Sequence, residues 1–583
     1  MKKLKTLGEV DIFKDFKAIE KTFGDIVDET AANYPTREAF IMGDARITFS
    51  QFQARANQIA KGLIKLGIQV GEHVALLMQN IIEYPLVAIA ISKVGGVIVP
   101  CNTRFKQEEL EYVLNKAKVT TLIMTDEFAE AKISYLKIIT ALTPELASSH
   151  PGRLQAEKLP YLKTIIVFQP GMYKGCYSIM HIENGSVDIT DEILKARQTQ
   201  VRPNDNGMII FTSGTTGFPK GVLLRYSPLI TNSAIVGKLW NVEESDKILS
   251  YIPFFTVYGT VINLLGPFVY NIPMVVGKIF DPGDFLQYIE KEKITILATV
   301  PSMIESLYLY PKFVQTDFTN LKTGNIGGAL CPPEMMRRAR SPKKSWGMNC
   351  RGMMTQYGVT EYHAGITSQT LDDPEDKCLH TVGRVFPLTE IKIVDPMTGV
   401  SKKPGEEGEI IVKGHGVMSG YFEDPDQTAE KIKGGWLHTG DLAVIDEDGY
   451  IKITGRATDM IITGAFNVFP KEIENKILEH PKVMSVSAFG VPDKKYGEVP
   501  MAHIILKPEI TLEAGEIIAF CKDKMASYKV PKYVEFVKEF PINPGGKVQK
   551  FKQKEMAIER LGLNKNENLR LKDFLPHKGQ ARR

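Results

Sequence analysis

The sequence has few cysteines, almost no charge bias and no apolar run long enough to cross a bilayer, and each shortage removes a class of protein. Cys101, Cys176, Cys331, Cys350, Cys378 and Cys521 are all the cysteines in 583 residues. They lie far apart, with neither pairing nor metal-ligand spacing, which excludes a disulfide scaffold and a cysteine-built metal site. Reduced thiols in a cytoplasmic protein are expected. A formal net charge of +4 is small for this length and gives no argument for a nucleic-acid partner. Met1-Lys2-Lys3-Leu4-Lys5 is basic, but no apolar segment follows it, so a secretory signal is not expected. Without a membrane span, contact with lipid is peripheral at most. What remains, 43% hydrophobic and 24% charged residues, is the composition of a globular protein, and the length exceeds one core, so two or more domains are expected.

The chain is organised around Thr212-Ser213-Gly214-Thr215-Thr216-Gly217-Phe218-Pro219-Lys220-Gly221. Met208-Ile209-Ile210-Phe211 precedes it and Val222-Leu223-Leu224 follows, so it reads as a loop between two buried strands. Its glycines let consecutive N–H groups converge on one anion, its hydroxyls add donors, and Lys220 adds positive charge. A Gly/Thr-rich hairpin turn has the same composition, so the stretch alone does not decide. It is not a Walker A loop, because no Gly-Lys-Ser/Thr closes it and a strand follows where a helix should start. Upstream, apolar runs at 74–78, 97–100 and 119–124 alternate with helical patterns at 84–94 and 108–116. An earlier helix carries Phe52, Ala56, Ile59, Leu63 and Leu66 on one face, with Ser50 as its expected cap. This alternation means βαβ units and an α/β fold with a mostly parallel sheet. Residues 127–165 are less regular and suggest no function.

The loop resembles the phosphate-binding signature of the adenylate-forming superfamily, which holds acyl-CoA synthetases, luciferases and peptide-synthetase adenylation domains. Further stretches carry the same resemblance in the same order: Gly327-Gly328-Ala329-Leu330, Tyr357-Gly358-Val359-Thr360-Glu361, Trp436-Leu437-His438-Thr439-Gly440-Asp441, Gly455-Arg456-Ala457-Thr458-Asp459, the run from Ile461 to Glu474, and Pro541-Ile542-Asn543-Pro544-Gly545-Gly546-Lys547. By resemblance, Thr212, Ser213, Gly214, Thr215, Thr216, Gly217 and Lys220 cradle the ATP phosphates. Gly328 and Ala329 lie against adenine and the acyl group, Tyr357 stacks on adenine beside Gly358, and Thr360 bonds the α-phosphate or the carboxylate. Glu361, with Thr215, ligates Mg2+, as a carboxylate beside a triphosphate requires a hard cation between them. Asp441 accepts the ribose hydroxyls, which suits two acceptor oxygens, and Arg456 reinforces it. Gly464, Ala465 and Phe466 line the path of the coenzyme A pantetheine, with Ala465 replacing a common glycine. Lys547 bridges carboxylate and α-phosphate during adenylation.

The resemblance implies a large N-terminal domain with α/β sheets over 1–455, a hinge at 456–459 and a small mobile α+β domain over 460–583. Thr458 stands at the hinge, where relatives carry Asp or Lys, with Asp459 the rival. Phe255, Thr256, Tyr258, Gly328 and Val359 are the expected acid-binding residues. An uncharged Thr256 cannot neutralise an ammonium, which counts against an amino acid and favours an apolar acid. Asp446-Glu447-Asp448-Gly449-Tyr450 is expected to be a hairpin with a type I′ turn. Gly490-Val491-Pro492-Asp493 and Gly497-Glu498-Val499-Pro500 look most like fatty- and aryl-acid CoA ligases. The expectation is therefore an AMP-forming acyl-CoA synthetase using a carboxylic acid, ATP, Mg2+ and coenzyme A, as a monomer or homodimer. Two rivals stay open: an acyl-AMP ligase with another acceptor, and a non-catalytic nucleotide- or acyl-binding paralogue suggested by Thr256, Thr458 and Ala465. The basic tail from Lys565 to Arg583 reads as solvated, with weak attraction to anionic lipid as its alternative.

Overall fold

A computed structural model describes residues 6–9, 11–212, 219–329, 331–342, 346–456, 459, 461–463, 466–468, 470–493, 495–522, 524–542 and 548–563. The fold is mixed α/β, and the chain divides into two compact units. The first comprises residues 1–392, 411–439 and 445–452; the second comprises 393–410, 440–444 and 453–583.

The first unit is built on two large sheets. In the eight-stranded sheet, Val97–Pro100, His73–Leu77, Thr121–Met124 and Thr164–Val167 are parallel neighbours, and Asn206–Thr212 joins them beside Val97–Pro100. These strands are buried on both faces, which is why they read as unbroken apolar runs rather than alternating ones. Asn206–Thr212 then pairs antiparallel with Lys220–Arg225, in a register that sets Thr212 opposite Lys220. The nine-stranded sheet runs parallel through Met274–Val276, Ile248–Ser250, Ile296–Thr299, Thr323–Ile326 and Gly352–Val359. Its last long strand turns back into Ala364–Ser368, antiparallel. Functional loops of such sheets sit beyond the carboxyl ends of the strands, and Gly327-Gly328 and Thr360-Glu361 both do.

Three local expectations change. The helix Phe49–Lys65 is capped by Thr48, not Ser50: Thr48 accepts from the Gln51 N–H while the Gln51 side chain accepts from Thr48. This capping box leaves Ser50 inside the helix. Ile294 to Val300 followed by Pro301 reads from the sequence as a strand leading into a loop, but Pro301 opens the helix Pro301–Leu309, where its missing N–H costs nothing. The turn at 446–450 is not type I′, since Asp448 has no positive φ. Gly449 alone is left-handed (φ +86°), and Asp446 accepts from the Asp448 and Tyr450 N–H groups.

The second unit packs helices Pro470–Leu478 and Ala514–Lys522 on a sheet of Val483–Asp493, Gly497–Leu506, Ile461–Thr463, Phe466–Val468 and Tyr533–Phe536. Ile461, Val468, Ile473, Ile477, Ile504 and Ile517 form its core. Among the described residues, no helix is long and apolar enough to cross a membrane.

Candidate nucleotide site

Strand pairing places the two ends of the expected phosphate loop. Thr212 and Lys220 are half-buried partners at the mouth of the hairpin, so the intervening loop leaves from their ends. Ser213, Gly214, Thr215, Thr216 and Gly217 lie outside the described residues. The Lys220 ammonium donates to the Gln427 side-chain oxygen and sits 5.2 Å from the centroid of the Tyr421 ring. Pro219, just before it, accepts from the Tyr112 hydroxyl at 3.1 Å. A cleft of about 270 Å3 opens here, lined by Tyr112, Lys116, Lys220, Tyr421, Asp424 and Gln427 among others.

The second element is the hairpin from Gly352–Val359 to Ala364–Ser368. Tyr357 and Val359 are half-buried on it, Gly358 is exposed, and Thr360 and Glu361 lie in the one-turn 3-10 helix that connects the strands. The Tyr421 hydroxyl donates to Glu361 Oε1 at 2.9 Å. Lys220 and Glu361, from distant parts of the sequence, are thereby joined through one phenol. Among the described residues, no three His, Cys, Asp or Glu side chains form a metal cage. A single partly engaged carboxylate fits a Mg2+ held mainly by the oxygens of a bound phosphate chain.

A buried and a half-buried imidazole, His363 and His415, hold this turn from behind. His363, in the left-handed region (φ +56°), closes it. Its Nε2 accepts from the Arg225 N–H at 2.8 Å, so the ring proton is on Nδ1, which donates to the Gly416 carbonyl at 2.8 Å. Asn232 donates to the His363 carbonyl at 2.8 Å and pairs with His415 Nε2 at 3.2 Å, while Arg225 donates to the His415 and Val417 carbonyls. The end of the strand Lys220–Arg225 is thus latched to the turn carrying Glu361. Burial lowers the pKa of His363 to about 3 and that of His415 to about 4. Unfolded, both titrate near pH 6.5. Between these values the unfolded chain binds protons that the native rings refuse. The rings' stabilising contribution is complete above pH 6.5 and is lost as pH falls, by up to about 1.4 kcal/mol per ring per pH unit. The urea midpoint should fall as pH drops from 7 to 5, and His363→Gln should flatten that slope; a wild-type midpoint that ignores pH in this window contradicts neutral buried rings.

Around the expected acid-binding residues, Phe255 is half-buried and Thr256 caps a short turn. Its hydroxyl accepts from Gly259 N–H and donates to the Pro253 carbonyl, both at 2.9 Å. The Tyr258 hydroxyl donates to Asn325, whose amide donates to Gln356 at 2.8 Å. Sequence reading missed Asn325 and Gln356: a polar pair inside apolar strands shows its use only when the strands are neighbours. An added side chain on Gly327 would meet the Tyr258 ring at 3.5 Å. Gly328 follows at φ +77°, and both it and Ala329 are exposed.

In the second unit, Arg456 Nε donates to Asp441 Oδ1 at 2.9 Å, and Asp441 is buried. Gly440 is fixed by its N–H bond to Glu409 at 3.0 Å. Phe466 lies on the strand Phe466–Val468. Thr458, Gly464, Ala465 and Lys547 lie outside the described residues. Tyr421, Gln427, His363, Arg225 and Asn232 had no sequence signal, since each acts across a long gap in the chain.

Comparisons with known proteins identify the family. Residues 27–422 match the model of the AMP-binding enzyme family, and 472–547 match that of the AMP-binding enzyme C-terminal domain. YngI of Bacillus subtilis, whose name provisionally assigns it to the acyl-CoA synthetases, is 38% identical over 94% of this chain and 99% of its own. The mitochondrial medium-chain acyl-CoA ligase ACSF2 of Rattus norvegicus is 32% identical over 94% and 89%. Among solved structures, the anthranilate CoA ligase AuaEII in complex with anthranoyl-AMP is 26% identical over 94% of this chain and 99% of that one, with a TM-score of 0.80. On this family match over most of its length, the chain belongs to the AMP-binding enzyme family.

Proposed function

We propose that the chain is an AMP-forming acyl-CoA synthetase for a fatty or other apolar carboxylic acid. The observation that carries this is the Lys220–Tyr421–Glu361 connection: a cation at the mouth of a phosphate loop, fixed against a carboxylate suited to a phosphate-borne metal. The names of the relatives support the acyl-CoA reading, and the anthranoyl-AMP complex of a relative supports an adenylate intermediate.

In the proposed first step, a carboxylate oxygen bonds to the α-phosphorus of ATP in line, the bond to the β-phosphate oxygen breaks, and pyrophosphate leaves. Lys220 and the loop from Thr212 to Gly217 hold the phosphates, Thr360 orients the reacting oxygens, and Tyr357 and Gly328-Ala329 hold adenine. Asp441 with Arg456 binds the ribose. Mg2+, when bound at Glu361 and Thr215, supplies positive charge against the departing pyrophosphate. Lys547 sits between the two reacting anions and offsets their repulsion. In the second step, the thiol of coenzyme A attacks the acyl carbon and AMP leaves, with Gly464, Ala465 and Phe466 lining its approach. Phe255, Thr256, Tyr258 and Val359 form the acid pocket, and the Tyr258–Asn325–Gln356 row gives one wall polar character. The boundary between catalytic domains is placed at 456–459, with Thr458 as hinge. The free cysteines suit a cytoplasmic location.

The test is pyrophosphate release from Mg-ATP with short and long aliphatic and aromatic acids, each with and without coenzyme A. Release with a medium or long aliphatic acid, with AMP turnover rising on addition of coenzyme A, is the expected result. Release indifferent to coenzyme A would assign another acceptor, and no release with any acid would remove the enzymatic reading.

A further inference from the structure

Tyr421 is built into the strand that closes the phosphate loop. It belongs to the two-residue edge strand Gly420–Tyr421, paired antiparallel with Lys220–Arg225 so that Val222 faces Tyr421 and Leu223 faces Gly420. Its N–H donates to Thr428 Oγ1 at 2.9 Å, and the next N–H, of Phe422, donates to the Gly221 carbonyl at 2.7 Å. The backbone is therefore held on both sides, and the side chain is buried. Its ring lies 5.2 Å from the Lys220 ammonium while its hydroxyl, 2.9 Å from Glu361 Oε1, engages one of the two carboxylate oxygens. Burial and the adjacent Glu361 raise the pKa of the phenol, so the hydroxyl stays protonated and is the donor. The backbone of Glu361 is fixed from the same segment, as Met418 N–H donates to its carbonyl at 2.9 Å.

Resting on the function proposed above, we propose that Tyr421 is a positioning residue that sets Glu361 for Mg2+ and Lys220 for phosphate as one unit. It touches neither substrate nor metal. The hydroxyl aims the carboxylate, and the aromatic face, which attracts a cation, steadies the ammonium. The two halves of the side chain therefore have separable consequences. Gln427 assists on the lysine side only, by accepting from Lys220.

The experiment is calorimetric binding of ATP to the full chain, with no acid present, at stepped Mg2+ concentrations and in EDTA. Tyr421→Phe keeps the ring and removes the hydroxyl. It should raise the Mg2+ concentration needed for half-maximal enhancement of ATP binding by about tenfold, as expected for losing a hydrogen bond to a charged group. ATP affinity in EDTA should stay within about twofold, because Lys220 keeps its ring. Tyr421→Leu should also weaken ATP binding in EDTA. In a Glu361→Gln background, Tyr421→Phe should add nothing further to the Mg2+ midpoint, a non-additivity that general loss of stability does not produce. A wild-type Mg2+ midpoint in Tyr421→Phe, or equal weakening with and without Mg2+, overturns the proposal. Failure of the wild-type chain to bind ATP at any Mg2+ concentration overturns the underlying function, and is recognised because it needs no variant.

Discussion

Lys547→Ala is expected to slow acyl-adenylate formation by about 100-fold or more, while thioester formation from supplied acyl-adenylate stays within a few-fold of wild type. The first step brings a carboxylate against a polyphosphate. Two like charges about 4 Å apart at an effective dielectric near 20 repel by about 4 kcal/mol, and an ammonium placed between them offsets a penalty of that order. The second step has a thiol attacking an acyl carbon whose anionic partner is already covalently joined, so the same ammonium has little to offset. The described residues that flank 543–547 have contacts of their own. Ile542 and Val548 are bridged, Gln549 N–H donates to the Pro541 carbonyl at 2.7 Å, and Lys550 is paired at 2.6 Å with buried Glu474, which also accepts from Ala488 N–H. These contacts hold the chain on either side of residues 543–547. Pyrophosphate exchange and single-turnover thioester formation measure the two steps separately. Equal loss in both assigns Lys547 a structural role.

The parts of this molecule legible in the sequence are those whose signal is local. Val74 to Met78 and Met208 to Phe211 read as buried strands because each is apolar without interruption, and the strands His73–Leu77 and Asn206–Thr212 cover all of both but Met78. The two strands flanking the glycine-rich stretch followed from the apolar runs on either side of it, while their antiparallel pairing came only with the structure. The capping error at Ser50 arose because Thr48 and Ser50 are both good cap residues; Gln51, three positions after Thr48, is the feature that decides between them. What could not be read is cooperation across the chain. Tyr421 meets Glu361 only because Gly420–Tyr421 pairs with Lys220–Arg225 at the edge of one sheet. His363 reaches Arg225 and Gly416 by the same kind of convergence. Neither residue has a periodicity or spacing that announces its partner. Thr256 shows a different limit: its lack of charge spoke only to the kind of acid, whereas its two hydrogen bonds within its own turn give the hydroxyl a capping task.

Gly358→Ala should be the most damaging single-methyl change in the first unit's site, lowering adenylation by about 100-fold or more and destabilising the fold by about 1–3 kcal/mol. Gly358 is paired with Gly365 where the register between Gly352–Val359 and Ala364–Ser368 shifts. A methyl group there would lie 1.7 Å from the Ala364 carbonyl oxygen, 2.5 Å from its carbon and 2.9 Å from Gly365 Cα. All three are backbone atoms, so no rotamer change relieves the contact and the strands must part. Ala364 already holds φ +93°, outside the comfortable range of a residue with a side chain, and has little freedom to adjust. Thr360 and Glu361 lie in the turn that these strands present, so separation moves the carboxylate away from Tyr421. Thermal unfolding and pyrophosphate release should fall together. Gly515→Ala, in the helix Ala514–Lys522 with nothing within 4 Å of the added methyl, should leave both near wild type. An active Gly358→Ala would mean that the hairpin can open while Glu361 stays engaged, which would place its positioning in the Tyr421 and His363 contacts rather than in the strand pairing.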